Sequence, residues 1–157
     1  MRRGSSGLSW THHNATAAVG ALTDQVIFQE DYVPFLWREG LGFTLLGELG
    51  LPDDYDRSTA VDVSDDGTTV VGALQASVVS NGFPPPRAFR WTEAAGTEDL
   101  EALLTATGAP PLGLYHATAI SGDGQKILAT GVERPTIHDT TSVLLEFGPG
   151  FVQRDVK

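Results

Sequence analysis

Short apolar runs broken by turn residues, not a helical spacing, organise most of this chain. Val61 and Val63 alternate with Asp62, the segment Ser64-Asp65-Asp66-Gly67 interrupts, and Val70-Val71 resume the apolar run. That order predicts strand, tight turn, strand. Asp-Gly suits such a turn, because Asp tolerates left-handed backbone and Gly carries no Cβ. The hydroxyl of Ser64 is placed to bond the turn's own amides. The device returns as Ala117-Thr118-Ala119-Ile120, Ser121-Gly122-Asp123-Gly124 and Ile127-Leu128, with Gly67 and Gly124 separated by 57 residues (124 − 67).

A second pattern keeps nearly the same period. Phe35-Leu36-Trp37 returns as Phe89-Arg90-Trp91, the tryptophans lying 54 residues apart (91 − 37). Side chains alternate along a strand, so each Phe shares a face with its Trp. Arg90 predicts that the other face of its strand is partly wet, whereas Leu36 is apolar there. A turn containing Gly42 or Gly96 follows, then a Leu-rich stretch ending near Leu49 or Leu104. Four short elements recurring every 50-odd residues predict small sheets that bury their faces against one another. The expected fold is therefore all-β: repeated four-stranded antiparallel units in a β-propeller-like array. About three blades, near 8–50, 58–105 and 114–154, would fill one repeat domain spanning 1–157, with 1–7 as a disordered or tag-like start.

Both ends of the array look worn. Ala18-Val19-Gly20-Ala21-Leu22 matches Val70-Val71-Gly72-Ala73-Leu74, but the preceding His12-His13-Asn14-Ala15 lacks an Asp-Gly turn, so the first blade is expected to be incomplete. In the third unit Leu145 stands where a Trp would recur. One stretch departs from the β pattern. Thr97 to Gly108 offers an N-cap, acids in a first turn, leucines at i, i+3 and i+4, and a Gly stop, predicting a short helix near 98–106.

Composition narrows the partners. An apolar fraction of 41% with only 19% charged residues, 18 Gly and 9 Pro fits a globular chain with many tight turns. A net charge of −10 repels phosphate backbones and anionic lipid, which argues against nucleic acid and membrane surfaces as partners. The absence of Cys removes disulfide and thiolate chemistry. The basic start Met1-Arg2-Arg3 has no apolar segment behind it, so no signal peptide is visible, and no run reaches the ~18 apolar residues of a membrane span.

Candidate chemistry is sparse. Asp53, Asp54 and Asp56, with Asp62, form the densest acidic group. A solvated loop is the preferred reading, and calcium is the one cofactor those oxygens would suit. Ser64, Asp66 and Gly67, like Ser121, Asp123 and Gly124, bring too few oxygens together for calcium and read as self-satisfied turns. Trp37 and Trp91 would make a sugar-stacking platform, but sharing a face with Phe35 and Phe89 at the repeat period favours packing between units. Trp10 lies outside the pattern. His12 and His13 are strand neighbours pointing opposite ways, and His116 and His138 have no local partner. No nucleophile elbow, phosphate-binding Gly loop or zinc spacing occurs, so no catalytic residue is assigned.

With both motifs in view, the chain resembles the bacterial probable extracellular repeat family, HAF type. Units of that family read A-x-x-(V/I)-S-x-D-G-x-x-V-V-G, then A-F-x-W-(T/S), a Gly and a Leu-rich tail. The resemblance runs over Ala60–Gly72, Ala117–Leu128 and Ala88–Thr92, and less closely over Phe35–Arg38. Leu100 to Leu128 is similar to the last unit of such arrays, so the chain resembles their C-terminal part. The resemblance implies an exported or cell-surface repeat scaffold without assigned enzymatic activity, presenting loops to a protein or glycan. Closed propellers hold ~4–8 blades, so three units imply a longer array or self-association, two copies supplying about six blades. Two alternatives stand beside it. One is a fragment of a propeller hydrolase acting on extracellular polymers, with Glu39, Glu93 and Asp99 gathered at a channel mouth. The other is a self-assembling structural module.

Overall fold

The computed structural model describes residues 7–13, 16–26, 29–46, 55, 57–76, 85–132, 140–147 and 152–156. Within them the chain is mostly β, with one short helix, arranged as three four-stranded antiparallel sheets. Sheet 1 holds β1 (Gly7–His13), β2 (Ala17–Val26), β3 (Gln29–Arg38) and β4 (Gly42–Leu45). Sheet 2 holds β5 (Arg57–Val63), β6 (Thr69–Gln75), β7 (Arg87–Thr92) and β8 (Gly96–Asp99), and α1 (Leu100–Ala106) follows it. Sheet 3 holds β9 (His116–Ile120), β10 (Lys126–Val132), β11 (Thr140–Glu146) and β12 (Val152–Val156). In each sheet the strands lie side by side in chain order, and no barrel closes among them.

The three sheets share one register. Ala18 lies opposite Trp37, Val70 opposite Trp91, and Ile127 opposite Leu145. Two residues on, Gly20 faces Phe35, Gly72 faces Phe89, and Ala129 faces Val143. Each first strand also carries a one-residue bulge at the same place, the unpaired residues being Thr11, Val61 and Thr118. Such a bulge bends its strand and sharpens the local twist, and here it recurs once per sheet.

Sheet 2 is the middle layer. Val70, Leu74, Phe89 and Trp91 pack with Ala17, Val19, Leu36 and Leu46 of sheet 1. From the opposite face, Val71 and Ala88 pack with Ile127, Ala129, Val143 and Leu145 of sheet 3 and with Leu100 and Leu104 of α1. A strand covered on both faces needs no polar alternation. That is why β6 is buried from Thr69 to Leu74 and reads as a continuous small-apolar run. Gly72 sits where that run is most crowded: a Cβ there would collide with the Thr59 carbonyl oxygen and come 2.9 Å from the Phe89 ring.

Two expectations change. The first sheet is complete rather than half a blade, and Gly7, assigned to a disordered start, already belongs to β1; residues 1–6 lie outside the described set. Losing Asp-Gly removes a turn signal, yet the buried apolar positions of β2 still fix the pairing of β1 with β2. The helix begins at Leu100, capped by Asp99 in place of Thr97. Thr97 and Glu98 stay in β8 because they pair with Trp91 and Arg90 across the β7–β8 hairpin. Asp99 Oδ1 then accepts from the Glu101 amide at 2.8 Å and the Ala102 amide at 3.4 Å. A helix this short is marginal alone, so burial of Leu100 and Leu104 holds it. The face marked by Arg90 is partly wet, as expected, the Arg90 side chain keeping 19% exposure, and it also packs toward sheet 3, the guanidinium lying 4.4 Å over the Phe147 ring and 2.5 Å from Glu98.

Candidate functional site

The two Ser-x-Asp-Gly turns are the same object built twice. Ser64 Oγ donates to Asp66 Oδ1 at 2.7 Å and accepts from the Thr69 amide at 3.0 Å. Asp66 Oδ1 also accepts from the Thr68 amide at 3.0 Å, and the Gly67 amide donates to the Ser64 carbonyl at 2.9 Å. In the copy, Ser121 Oγ donates to Asp123 Oδ1 at 2.5 Å and accepts from the Lys126 amide at 2.9 Å, while the Gln125 amide donates to Asp123 Oδ1 at 3.0 Å. Gly67 and Gly124 take φ of 67° and 72°, the left-handed region that a Cβ disfavours. Hydrogen bonds from Ser64 and Ser121 hold the Asp66 and Asp123 carboxyls below the usual carboxylate range. These carboxylates are occupied by their own turns.

Successive turns are also stitched to one another. The Asp65 carbonyl accepts the Thr16 hydroxyl of sheet 1 at 2.6 Å, and the Asp65 amide donates to the Gly122 carbonyl of sheet 3 at 2.9 Å. Beside it Asp62, buried next to the bulge of β5, accepts from the Val63 amide through Oδ1 and the Ile120 amide of β9 through Oδ2, both at 2.8 Å. Sequence reading placed Asp62 in an acidic cluster; the structure makes it the polar bolt between sheets 2 and 3. Asp53, Asp54 and Asp56, the remaining calcium candidates, lie outside the described residues, and among the described residues no group of three or more ligating side chains assembles.

The aromatic positions divide. Phe89 and Trp91 are buried between sheets 1 and 2. Phe35 and Trp37 occupy the equivalent positions on the face of sheet 1 turned away from sheet 2, where Phe35 is fully buried and Trp37 half-buried. There the Phe35 ring meets Phe43 edge-on at 5.4 Å. Trp10 pairs with Gly20 in β1, so it belongs to the repeat after all, at the position of Ala60 in β5. His12 and His13 pair with Val19 and Ala18 along β1. His116 opens β9, and His138 is outside the described residues.

The three carboxylates considered for catalysis do not converge. Glu93 follows β7 and pairs with Arg38 at 3.2 Å across the sheet 1–sheet 2 seam. Asp99, at the other end of the β7–β8 hairpin, caps α1 and pairs with Arg87 at 2.6 Å. That pairing is the main reason the Arg87 guanidinium holds its proton even more firmly than usual. Glu39 lies in the exposed β3–β4 turn. Sequence reading also missed Glu101, whose carboxylate gathers the amides of Leu112, Gly113 and Leu114 at 2.8, 3.2 and 2.9 Å. No local pattern marks such a partner, because it lies past Pro110-Pro111.

One cleft opens among these groups. It measures about 570 Å³, straddles the turn-side seam of sheets 1 and 2, and is lined by Thr16, Arg38, Glu39, Gly40, Leu41, Asp65 and Asp66. Its walls combine one cation, three carboxylates and the exposed Leu41 side chain. Among the described residues no helix is long and apolar enough to cross a membrane. Compared with family models, with curated proteins and with solved structures, the chain matches none.

Proposed function

We propose that this chain is a non-catalytic, propeller-like repeat scaffold of the HAF type, exported or displayed at a cell surface, which binds a protein or glycan partner. One observation carries the reading: the polar groups of the repeat are spent on the turns and on the joints between sheets. Ser64, Asp66, Ser121 and Asp123 satisfy their own hairpins, Asp62 and Asp65 join neighbouring sheets, and Asp99 and Glu93 are paired with arginines. Among the described residues, such a framework offers a ligand the cleft beside the β3–β4 turn, of a size that suits a small saccharide or a peptide loop. The resemblance of its motifs to that family supports the extracellular setting, and the acidic surface supports a partner that is neither nucleic acid nor anionic lipid.

The test is a binding screen on arrays of bacterial surface glycans and surface proteins, followed by titration of each retained probe. A Glu39→Gln, Leu41→Ser variant changes only exposed cleft residues. It should lose affinity about ten-fold or more, roughly 1.4 kcal/mol. Reducing-end release from any retained glycan should stay at the buffer rate. Retention of full affinity by the variant, or turnover of the glycan, would refute the reading.

A further inference from the structure

We propose that Asp123-Gly124 is a site of spontaneous backbone modification, where the aspartate isomerises through a cyclic imide, and that its structural twin Asp66-Gly67 is protected. The chemistry needs a side-chain carboxyl next to an unhindered amide nitrogen, which Asp-Gly supplies because Gly carries no Cβ. Gly124 N gives up its proton and bonds to Asp123 Cγ. A Cγ–O bond breaks, and that oxygen leaves as water, carrying the proton from nitrogen and one from the carboxylic acid. Water then opens the imide at either carbonyl. One opening returns aspartate; the other routes the main chain through Cγ and frees the former main-chain carbonyl carbon as a carboxylate. Water is the sole reagent.

Both turns resist closure while they stay shut. The Gly67 and Gly124 amides donate to the Ser64 and Ser121 carbonyls at 2.9 and 2.8 Å. Each aspartate Oδ1 accepts from its serine hydroxyl and from the amide two residues on. Nitrogen reaches Cγ only after such bonds open, so the rate follows how often each turn opens. There the two turns differ. Asp66 Oδ1 takes a further donor, the Thr68 hydroxyl at 2.8 Å, where the copy has Gln125. Sheet 1 also braces the first turn through the Thr16 hydroxyl, which donates to the Asp65 carbonyl at 2.6 Å. Gly67 itself is buried, and a Cβ added to it would stand 3.0 Å from Arg38 Cγ and 3.1 Å from Ala17 Cβ.

Among the described residues the second turn is braced from one side. It leans on the first through the Asp65 amide, which donates to the Gly122 carbonyl at 2.9 Å, and through Gly124, where an added Cβ would stand 3.3 Å from Thr69 Oγ1. Gly122, Asp123, Gln125 and Lys126 are exposed and Gly124 is half-buried. One net hydrogen bond corresponds to a factor of roughly five in an opening equilibrium, so the two hydroxyl bonds found at the first turn should separate the rates by about ten-fold or more. Isomerisation at Asp123 adds one atom to the main chain of the β9–β10 turn and displaces the carboxylate that Ser121 and Gln125 bind. The Gly122 joint to sheet 2 lies next to that change.

Incubating the folded full chain in heavy-oxygen water near neutral pH marks every imide that forms and reopens, because hydrolysis inserts one solvent oxygen. Fragmentation mass spectrometry reads the label at Asp66 and at Asp123 separately. It also sets apart Asn81-Gly82, outside the described residues, whose deamidation changes the mass differently. A protease that cuts before aspartate but not before its isomer identifies the rerouted main chain. Label at Asp123 should exceed label at Asp66 by about ten-fold or more in the folded chain, and the two should converge in urea. Ser121→Ala removes a bond from the second turn and should raise labelling at Asp123 roughly five-fold while leaving Asp66 unchanged. Thr16→Val, at an exposed position, should raise labelling at Asp66 alone, and circular dichroism melts check that both variants fold. Equal labelling of the two turns in the folded chain, more label at Asp66, or none at either while the unfolded chain labels both, overturns the proposal.

Discussion

Replacing Asp62 by Ala tests whether the sheets are joined by specific polar bonds or by apolar packing alone. The Asp62 side chain is 8% exposed and its two oxygens accept the Val63 and Ile120 amides, both at 2.8 Å. Ala removes both acceptors without removing the donors, so two main-chain amides lose their partners. Hydrogen bonds to a charged group contribute roughly 1.5–3 kcal/mol each, and an orphaned buried donor costs about 1–3 kcal/mol. The local bond to Val63 is the easier to replace with water, so the expected loss is about 3–4 kcal/mol rather than the full sum. For a chain of this size that lowers Tm by on the order of 10 °C. Amide exchange localises the effect: Ile120, across the seam, should lose protection while Val19 in sheet 1 keeps it. Thr118→Ala is the matched control, since its exposed hydroxyl bonds only the Leu128 carbonyl at 3.1 Å, and it should change stability by less than about 0.5 kcal/mol. If Asp62→Ala melts within 2–3 °C of Thr118→Ala, with Ile120 protection unchanged, the seam is held by side-chain packing and the account of the joint is wrong.

Other substitutions address the remaining joints. Gly72→Ala drives a Cβ into the Thr59 carbonyl oxygen, and should cost about 3 kcal/mol or more in a denaturant titration; a neutral result would mean that β5 moves aside freely. Gly67→Ala meets both a φ of 67° and the Arg38 side chain 3.0 Å away, so it should destabilise by about 1–3 kcal/mol, whereas Gly96→Ala, with φ 69° but open space, should cost less. Glu101→Gln keeps the shape but halves the acceptors for the 112–114 amides, and should raise exchange at Leu114 while leaving the first sheet unchanged. Acid sensitivity follows from the turns. Asp66 and Asp123 are depressed in the fold, so their contribution is complete above the unfolded carboxylate pKa and is lost as pH falls below about 4. Being largely solvated, they make it small, and a Ser64→Ala, Ser121→Ala variant should show a flatter decline in Tm between pH 5 and 2.5; an unchanged slope would locate the acid response elsewhere.

How much of this could be read from residues alone depended on how local each interaction is. The Asp-Gly hairpins are fixed within six residues, by Ser64 and Asp66 or Ser121 and Asp123, and pattern reading finds them. The pairing of Phe89 and Trp91 on one buried face follows from strand alternation, and the threefold stacking follows from the period. What was missed is non-local. The contacts of Asp62 with Ile120 and of Asp65 with Gly122 span more than fifty residues, and no spacing rule marks a carboxylate that bonds a neighbouring sheet. The first hairpin was undervalued for the opposite reason: its turn chemistry is absent, yet the ladder from Gly7 to His13 against Ala18 to Thr23 needs only matched strands. In the cleft, Leu41 carries no sequence mark at all, and Glu39 was marked only as one of three carboxylates expected at a channel mouth. They become prominent only because the β3–β4 turn lies against the turn of the next sheet.

Arg90 shows why a charged residue does not end the stack. At the register position between the two aromatic positions, Val19 pairs with Leu36 in sheet 1 and Leu128 with Leu144 in sheet 3, so Arg90 opposite Val71 breaks an otherwise apolar rule. A bare guanidinium between two sheets would be costly, since burial strips its water without compensation. Here Glu98, directly opposite on β8, takes Nε at 3.0 Å and binds Nη2 as well, and the aromatic face of Phe147 covers the plane. Charge, hydrogen bonds and flat surface are all matched by residues of sheets 2 and 3. The helix adds Leu100 and Leu104 to the core between sheets 2 and 3, as Leu36 and Leu46 contribute to the core between sheets 1 and 2. The helix and the arginine thus belong together. Arg90→Leu in this setting should keep the fold and leave Glu98 as the unpaired group, so Arg90→Leu with Glu98→Thr should be more stable than Arg90→Leu alone. Equal stability of the two variants would show that Glu98 is already at ease in water and that the pair adds nothing to the seam.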